Sequence, residues 1–353
     1  MQINPVIVKE LRGRMRGPRA AIVMTIYLAV LTGVTLLFYW MLTAAGGLSN
    51  PQSSQVGKFL FYVLVVFQMI MVALLTPAFT AGSITSEREQ KTFDLLMTTL
   101  LPARSVIFGK LGSALSYVVL LIIAIAPLES LAFMFGGVSP EEIVLSQVVM
   151  LMAALLFASA GIFWSSLLKS SVASNVLTYG TMLFQLIGIP VLYLVIVTTT
   201  GNQSVPGQPR MTDTPEFWYT SGIVLSSHPL IAMIISEMFI SNGDPLFVYS
   251  TTQYLNGKEL FVVSPWLLFC IEALVFSTIF VLISIRAVQP VHIARQAKRR
   301  APSQGLVPVE AYAGEQLPPP PPPPPPYVPP SPSEAPMEAR VEQPREGQPP
   351  PQA

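Results

Sequence analysis

Six long apolar runs are the feature that most constrains this chain, because each is long enough to cross a bilayer as a helix. A helix needs about 20 mostly apolar residues to span the hydrocarbon core. The runs cover residues 20–43, 59–81, 106–135, 143–168, 172–198 and 265–288. Charged residues make up only 11% of the sequence and hydrophobic residues 52%, which leaves too little polar surface for a soluble chain of this length. The sequence therefore predicts an all-α membrane protein with six transmembrane helices.

Two segments complicate this simple pattern of spans. The third run contains Pro127, which predicts a kink or a break near its outer end. Residues 222–240 form a further apolar segment that is nearly long enough to cross, but it contains His228 and Glu237. We interpret it as a helix that lies in the interface or dips into the membrane, with a packed external helix as the alternative. It belongs to the long external segment 199–264 that precedes the last span.

Lysine and arginine residues are distributed unevenly along the connections, which predicts the orientation of the chain. Fifteen of them precede span one, lie in or near the connections after spans two and four, or lie between Arg286, near the end of span six, and Arg300. Only three lie in the other connections. Because basic residues collect on the cytoplasmic side, the protein is expected in the cell (inner) membrane with both termini in the cytoplasm. An even number of spans follows from this orientation.

The first 19 residues form a basic amphipathic segment. Asn4 can cap a helix, and Pro5 suits its first position. Lys9 and Arg12 lie opposite an apolar face, so the segment suits the anionic inner leaflet. The sequence predicts a short helix lying on the membrane surface, and a generic basic anchor with no further role is an equally good interpretation.

The connection between spans two and three predicts an amphipathic helix over residues 86–101. Ser86 and Glu89 match the capping-box pattern S-x-x-E, and Glu87 and Lys91 form an i,i+4 pair in the favourable order. An apolar stripe at helical spacing follows them. Such a helix either lies on the lipid or docks into a cytoplasmic protein, and periodicity alone does not decide between the two.

The C-terminal tail, residues 291–353, is basic at first and then rich in proline and glutamate. Of the 34 prolines, nineteen lie in residues 301–353, and nine are consecutive at 318–326. Such a run forms polyproline II and cannot build a hydrophobic core, so the tail is predicted to be disordered. Residues 324–327 read Pro-Pro-Pro-Tyr, a ligand pattern for aromatic-lined grooves. A membrane scaffold whose tail recruits partners is therefore the alternative function.

Residue types that carry chemistry are sparse. Cys270 is the single cysteine, and the two histidines are far apart in sequence, so neither a metal centre nor a catalytic site is expected. Two carboxylates, Glu129 and Glu272, fall inside predicted spans three and six. Charges within a span are costly and usually face a partner or a cavity, so both are candidates for a substrate pathway. For Glu129 a packing position near the outer interface is favoured.

The segment from Gly82 to Lys110 resembles the permease subunits of ATP-binding-cassette transporters of the type-2, or export-permease, superfamily. In those subunits the second span is followed by E-R-E-x-x-T-[LF]-[DE]-L-L, then a proline, and a G-K pair at the start of span three. The matching residues here are Glu87, Arg88, Glu89, Thr92, Phe93, Asp94, Leu95, Leu96, Pro102, Gly109 and Lys110. The start of the chain also resembles members that begin N-P-x-x-x-K-E-L-R, through Asn4, Pro5, Lys9, Glu10, Leu11 and Arg12.

This resemblance covers residues 1 to about 290 and implies roles for the cytoplasmic segments. Residues 1–19 would be the elbow helix, and residues 86–101 would be a coupling helix, inside a permease domain of residues 20–290, that binds a separate ATPase subunit. No G-x-x-x-x-G-K-[ST] motif occurs in the sequence, so ATP and Mg would be bound by that partner and this chain would not be an enzyme. Export by a homodimer or heterodimer of permeases is the expected activity, with no nucleic acid as a partner. The substrate class stays open.

Overall fold

A computed structural model describes residues 10, 12–13, 18–44, 53–93, 102–201, 214–243, 245–251 and 260–288. Most of the predicted elbow helix, residues 94–101 of the predicted coupling helix and the tail 291–353 lie outside the described residues.

The described residues form a helical bundle with one small hairpin. Its elements are helices α1 (Pro18–Ala44), α2 (Ser53–Thr80), α3 (Thr85–Glu89), α4 (Ala103–Ala124), α5 (Ala126–Phe135), α6 (Pro140–Leu167) and α7 (Ser171–Leu183), a π-helical turn (Phe184–Gly188), helices α8 (Ile189–Gly201), α9 (Pro215–Ser226) and α10 (Pro229–Ser241), strands β1 (Val248–Thr251) and β2 (Leu260–Val263), and helix α11 (Pro265–Val288). Six segments are long and apolar enough to cross a membrane, which confirms the predicted count. Span one is α1, and span two is α2, whose segment continues through a turn into α3. Span three is α4 together with α5, span four is α6, span five runs from α7 through the π turn to α8, and span six is α11.

Span three is broken near Pro127, as the sequence predicted. Helix α4 ends at Ala124, Ile125 forms a turn, and Pro127 occupies the first turn of α5. A proline suits that position because its ring fixes φ and because the first N–H groups of a helix have no intrahelical partner. The sequence therefore located this break correctly.

Span two continues past Thr80, and this corrects the predicted start of the next helix. After a turn at residues 81–84, α3 runs from Thr85 to Glu89 with Ile84 at its N-cap, so Ser86 is already helical and does not cap. The backbone N–H of Ser86 bonds to the carbonyl of Gly82 at 3.0 Å, in the register of a continuing helix. The prediction of one helix beginning at Ser86 and running unbroken to residue 101 is wrong.

The same helix ends sooner than the capping pattern predicted. Lys91 has a left-handed backbone with φ of 57°, a conformation that cannot continue a right-handed helix. The predicted Glu87–Lys91 pair is also absent, since the Glu87 carboxylate lies against Lys110 instead. Helix α3 therefore ends at the turn formed by residues 90–92.

Span four lies at the centre of the bundle. Its buried face includes many small residues, among them Ala153, Ala154, Ala158 and Gly161. A Cβ on Gly161 would lie 2.1 Å from the Thr80 hydroxyl oxygen, so only glycine allows this close approach of spans two and four. Small residues let helices approach closely where lipid gives no hydrophobic drive for association. Spans one and five, in contrast, bury only a small share of their residues.

The external segment consists of two helices joined at a sharp bend, and its predicted position in or at the membrane stays a prediction. Helices α9 and α10 meet at a bend of 119° around Ser227 and His228, so they do not form a straight seventh span. An antiparallel hairpin follows, in which Val248 of β1 pairs with Val263 of β2. The hairpin was not predicted from the sequence, although β-branched and aromatic residues are concentrated in both strands.

Candidate functional site

Helix α3 is anchored to spans four and five by hydroxyl groups. The backbone N–H groups of Ile84 and Thr85 both donate to Ser165 Oγ of span four, at 2.9 and 3.1 Å. Ser174 Oγ of span five donates to the carbonyl of Ala81. These bonds satisfy backbone groups that the turn between α2 and α3 would otherwise leave unpaired in a buried place. They fix the position of the three charged residues that follow, Glu87, Arg88 and Glu89, here called the ERE cluster.

The first member of the ERE cluster, Glu87, binds span three. The ammonium group of Lys110 lies 2.8 Å from Glu87 Oε1 and 3.3 Å from Glu10 Oε1, and it donates to the carbonyl of Ser83 at 2.9 Å. The Lys110 side chain is 4% exposed and lies next to the buried Gly109, whereas each carboxylate is 25% exposed. A buried ammonium is tolerated when its three donors are satisfied, as they are here.

Residues from three regions that are distant in the sequence therefore come together at one ammonium group. The regions are the N-terminal segment through Glu10, the connection through Glu87 and the start of span three through Lys110. The resemblance marked all three residues, but nothing in the sequence indicated that they bind one another.

The second member, Arg88, binds the end of span four. Its guanidinium donates from Nη1 to the carbonyl of Leu168 at 2.8 Å, and Leu168 is the C-cap of α6. A cation at this position also interacts favourably with the helix dipole. The guanidinium lies 5.0 Å from the centre of the Phe93 ring, close enough for a cation–π contact.

The third member, Glu89, binds the start of span five. Its two carboxylate oxygens accept from the backbone N–H of Ser171 at 2.7 Å and from the Ser171 hydroxyl at 2.9 Å. Ser171 is the first residue of α7, where a negative charge is favourable and where N–H groups lack helical partners. The ERE cluster thus joins a five-residue helix to spans three, four and five.

The predicted partner-binding residues differ in how much surface they leave for a partner. Glu89, Lys91 and Thr92 are exposed, whereas Ser86, Glu87, Arg88 and Phe93 are partly buried. Of the remaining predicted residues, Arg12 is exposed, and Asn4, Pro5, Lys9, Asp94, Leu95 and Leu96 lie outside the described residues. A groove of about 620 Å³ lies beside Arg88, Glu89 and Lys169. Near the ERE cluster, the surface accessible to a partner therefore consists of the turn at residues 90–92 and this groove.

The two intramembrane carboxylates have different surroundings. Glu129 is 2% exposed and accepts a hydrogen bond from the Gln147 amide of span four, which is a packing contact between helices. Glu272 accepts a 2.6 Å hydrogen bond from the Ser227 hydroxyl at the bend between α9 and α10. Residue Gln185 of the π turn donates in turn to the Ser227 carbonyl at 3.0 Å. Glu272 was a candidate from the sequence, but its contact with Ser227, 45 residues away, was not predictable from it.

Two comparisons with known proteins bear on this arrangement. Residues 5–268 match the model of a protein family described as ABC-2 family transporter protein. The match includes the ERE cluster and the first five spans, and it ends near the start of span six. No curated protein matches the chain.

Proposed function

Because the chain belongs to the ABC-2 transporter family and is a multi-pass membrane permease, we propose that it moves its substrate by using ATP hydrolysed on a separate ATPase subunit. Export is the proposed direction. In this proposal ATP and Mg bind the ATPase subunit, and the permease supplies the pathway and the mechanical link.

The geometry of the ERE cluster carries this proposal. One short helix holds three charged side chains, and each is bonded to a different span. The adjacent turn, which includes Lys91 and Thr92, is exposed and is therefore accessible to a partner. A protein that pushes on this turn displaces α3 as a unit, and the three polar connections pass that displacement to spans three, four and five. This is the mechanical property that a transporter driven by a separate ATPase requires.

The exposed faces of spans one and five support a second permease copy as a partner. Large apolar side chains on both spans are more than half exposed, including Leu36, Trp40, Val172 and Val176. Lipid or protein must cover such faces in a membrane. We assign part of this surface to a homodimer or heterodimer contact, with the substrate pathway between the two copies.

The charge distribution supports the proposed orientation. The ERE cluster, Lys110 and Lys169 lie at the end of the bundle that holds the basic connections. By the positive-inside bias this end faces the cytoplasm, where an ATPase subunit has access to ATP. We therefore place the protein in the cytoplasmic membrane with both termini inside.

Site-directed crosslinking tests the docking proposal. Cys270 is the only cysteine in the sequence, so Cys270→Ala provides a cysteine-free background. In that background Thr92→Cys is expected to crosslink to a protein that mass spectrometry identifies by its Walker A motif. Ser241→Cys, exposed on α10, is the matched control and should give no such product. Capture of lipid alone by Thr92→Cys would contradict the docking proposal.

The scaffold alternative depends on the proline-rich tail, which lies outside the described residues. Truncation at Ala301 distinguishes it from transport. A permease keeps ATP-dependent transport after this truncation, whereas a scaffold loses the recruitment of its partners while its spans remain intact.

A further inference from the structure

A partly open cavity of about 220 Å³ lies between spans two, four, five and six. Five phenylalanines form much of its wall, namely Phe157, Phe184, Phe269, Phe276 and Phe280. Phe269 is fully buried at the back, whereas Phe184 and Phe276 are at least half exposed. The cavity therefore opens between spans five and six, on a side of the bundle that faces lipid or a second copy.

The π turn of span five shapes this cavity. A Cβ on Gly188 would lie 2.6 Å from the Phe184 ring, so glycine at this position lets the ring fold back over the turn. The turn also directs the Gln185 amide to the Ser227 carbonyl, at 3.0 Å. A π turn inserts an extra residue into a helix and is common at functional sites. Here it holds the bend of the external segment against the cavity.

Glu272 is the acidic group in the cavity wall. Its position, seven residues after Pro265, places it about 10 Å along span six from the start of the helix, at a rise of about 1.5 Å per residue. Ser227 donates one hydrogen bond to Oε2, at 2.6 Å, which fixes the carboxylate but leaves most of its acceptor capacity for another donor. The residues that line the cavity include no lysine, arginine or histidine.

His228, which follows Ser227 at the bend, does not neutralise this carboxylate. His228 Nδ1 accepts from the backbone N–H of Ile231 at 3.2 Å, so its other nitrogen, Nε2, carries the proton and donates to the carbonyl of Leu186 at 2.9 Å. An imidazole with one accepting nitrogen is neutral. Among the described residues, Glu272 forms no ion pair, and ionised carboxylates in a membrane interior require a compensating charge or donor.

We propose that this cavity binds an amphipathic organic cation, with its ammonium group on Glu272 and its apolar body against the phenylalanines. The carboxylate compensates the charge of the ligand, and the aromatic faces favour a cation as well as an apolar group. The opening beside Phe184 and Phe276 lets such a molecule enter from the bilayer. The inference rests on the proposed function, in which this ligand would be a transported substrate.

Binding to the purified permease tests the proposal without an ATPase. The protein is placed in nanodiscs of phosphatidylcholine, which carries no net charge, and empty nanodiscs correct for partitioning. The probes are radiolabelled 4-phenylbutylammonium and its uncharged analogue 4-phenylbutanol, measured by equilibrium dialysis. The wild type is expected to bind the ammonium probe at least tenfold more tightly than the alcohol. Glu272→Gln is expected to reduce this preference to twofold or less.

Glu141→Gln is the matched control, because Glu141 is exposed in the first turn of span four and does not line the cavity. It should keep the full preference for the ammonium. Equal binding of the two probes by the wild type, or no saturable binding of either, would overturn the proposal. Equal binding would indicate a site for a lipid chain. Because both probes are compared on the wild type, the test does not depend on how well Glu272→Gln folds.

The two proposals fail independently. Crosslinking of Thr92→Cys to an ATPase without an ammonium preference would keep the proposed function and remove the cation site. A preference that depends on Glu272, without an ATPase partner, would keep the cation site and remove the proposed function.

Discussion

Replacing Lys110 with methionine is the sharpest test of how the predicted cytoplasmic end is held together. Methionine keeps the length and most of the volume of the side chain but removes its charge and its three donors. In the wild type those donors serve Glu87, Glu10 and the carbonyl of Ser83. The substitution therefore removes one group and leaves three acceptors without their partner.

The expected cost follows from burial. Removing one partner of a fully buried ion pair costs about 3–5 kcal/mol. The carboxylates of Glu87 and Glu10 are each 25% exposed, so water can replace part of what the ammonium supplied. Glu87 Oε2, however, is buried without a hydrogen-bond partner among the described residues, so its carboxylate cannot hydrate fully. We expect Lys110→Met to lower the free energy of unfolding by about 2–3 kcal/mol.

Unfolding of the purified protein by SDS in mixed micelles, followed by tryptophan fluorescence, measures this change. Lys169→Met is the matched control, because Lys169 is exposed, and it should change stability by less than about 0.5 kcal/mol. A double-mutant cycle with Glu87→Gln isolates the pair, for which we expect a coupling energy of about 1–2 kcal/mol. The coupling to Glu10 should be smaller, since its oxygen lies 3.3 Å from the ammonium and that of Glu87 lies 2.8 Å away. Strict additivity of Lys110→Met and Glu87→Gln would refute the reasoning.

Two further substitutions test packing within the spans, with the same unfolding measurement. Gly57→Ala is expected to destabilise the bundle by about 1–3 kcal/mol, because its Cβ would lie 2.2 Å from the backbone carbonyl of Gly136, which cannot move aside as a side chain can. Gly33→Ala, where nothing lies within 4 Å, is the control, and an equal loss there would contradict the steric argument. Gln147→Leu removes the donor to the buried Glu129 and should cost about 1–3 kcal/mol, a loss that would be absent if the carboxyl found another partner.

The spans were predictable because the bilayer imposes one simple requirement. A segment that crosses as a helix must be apolar over about 20 residues, and that pattern is local in the sequence. Span six was predicted with the same boundaries that the structure shows, Pro265 to Val288. The break in span three followed from Pro127 for a similarly local reason. Length, apolarity and proline are properties of a short window, so no contact between distant residues was needed.

The connection after span two was predicted less well because its structure depends on distant residues. A local rule assigned Ser86 as an N-cap. In the folded chain, Ser165 of span four supplies the oxygen that accepts from the N–H groups of Ile84 and Thr85, and the N-cap is Ile84, two residues before Ser86. Glu89 turns to Ser171 for the same kind of reason. A partner about 80 residues away in sequence leaves no signal in a capping pattern.

The charged residues of the ERE cluster have a consequence for how a partner would act on the protein. Resemblance alone assigned Glu87, Arg88 and Glu89 to partner binding, yet each side chain already has a partner within the chain. A substitution such as Arg88→Ala should therefore reduce the stability of the permease as well as its coupling to an ATPase. A substitution of an exposed side chain in the adjacent turn, such as that of Gln90, should affect the coupling alone. Within the proposed function, the cluster transmits force and the turn receives it, and the two roles separate by whether a substitution changes unfolding.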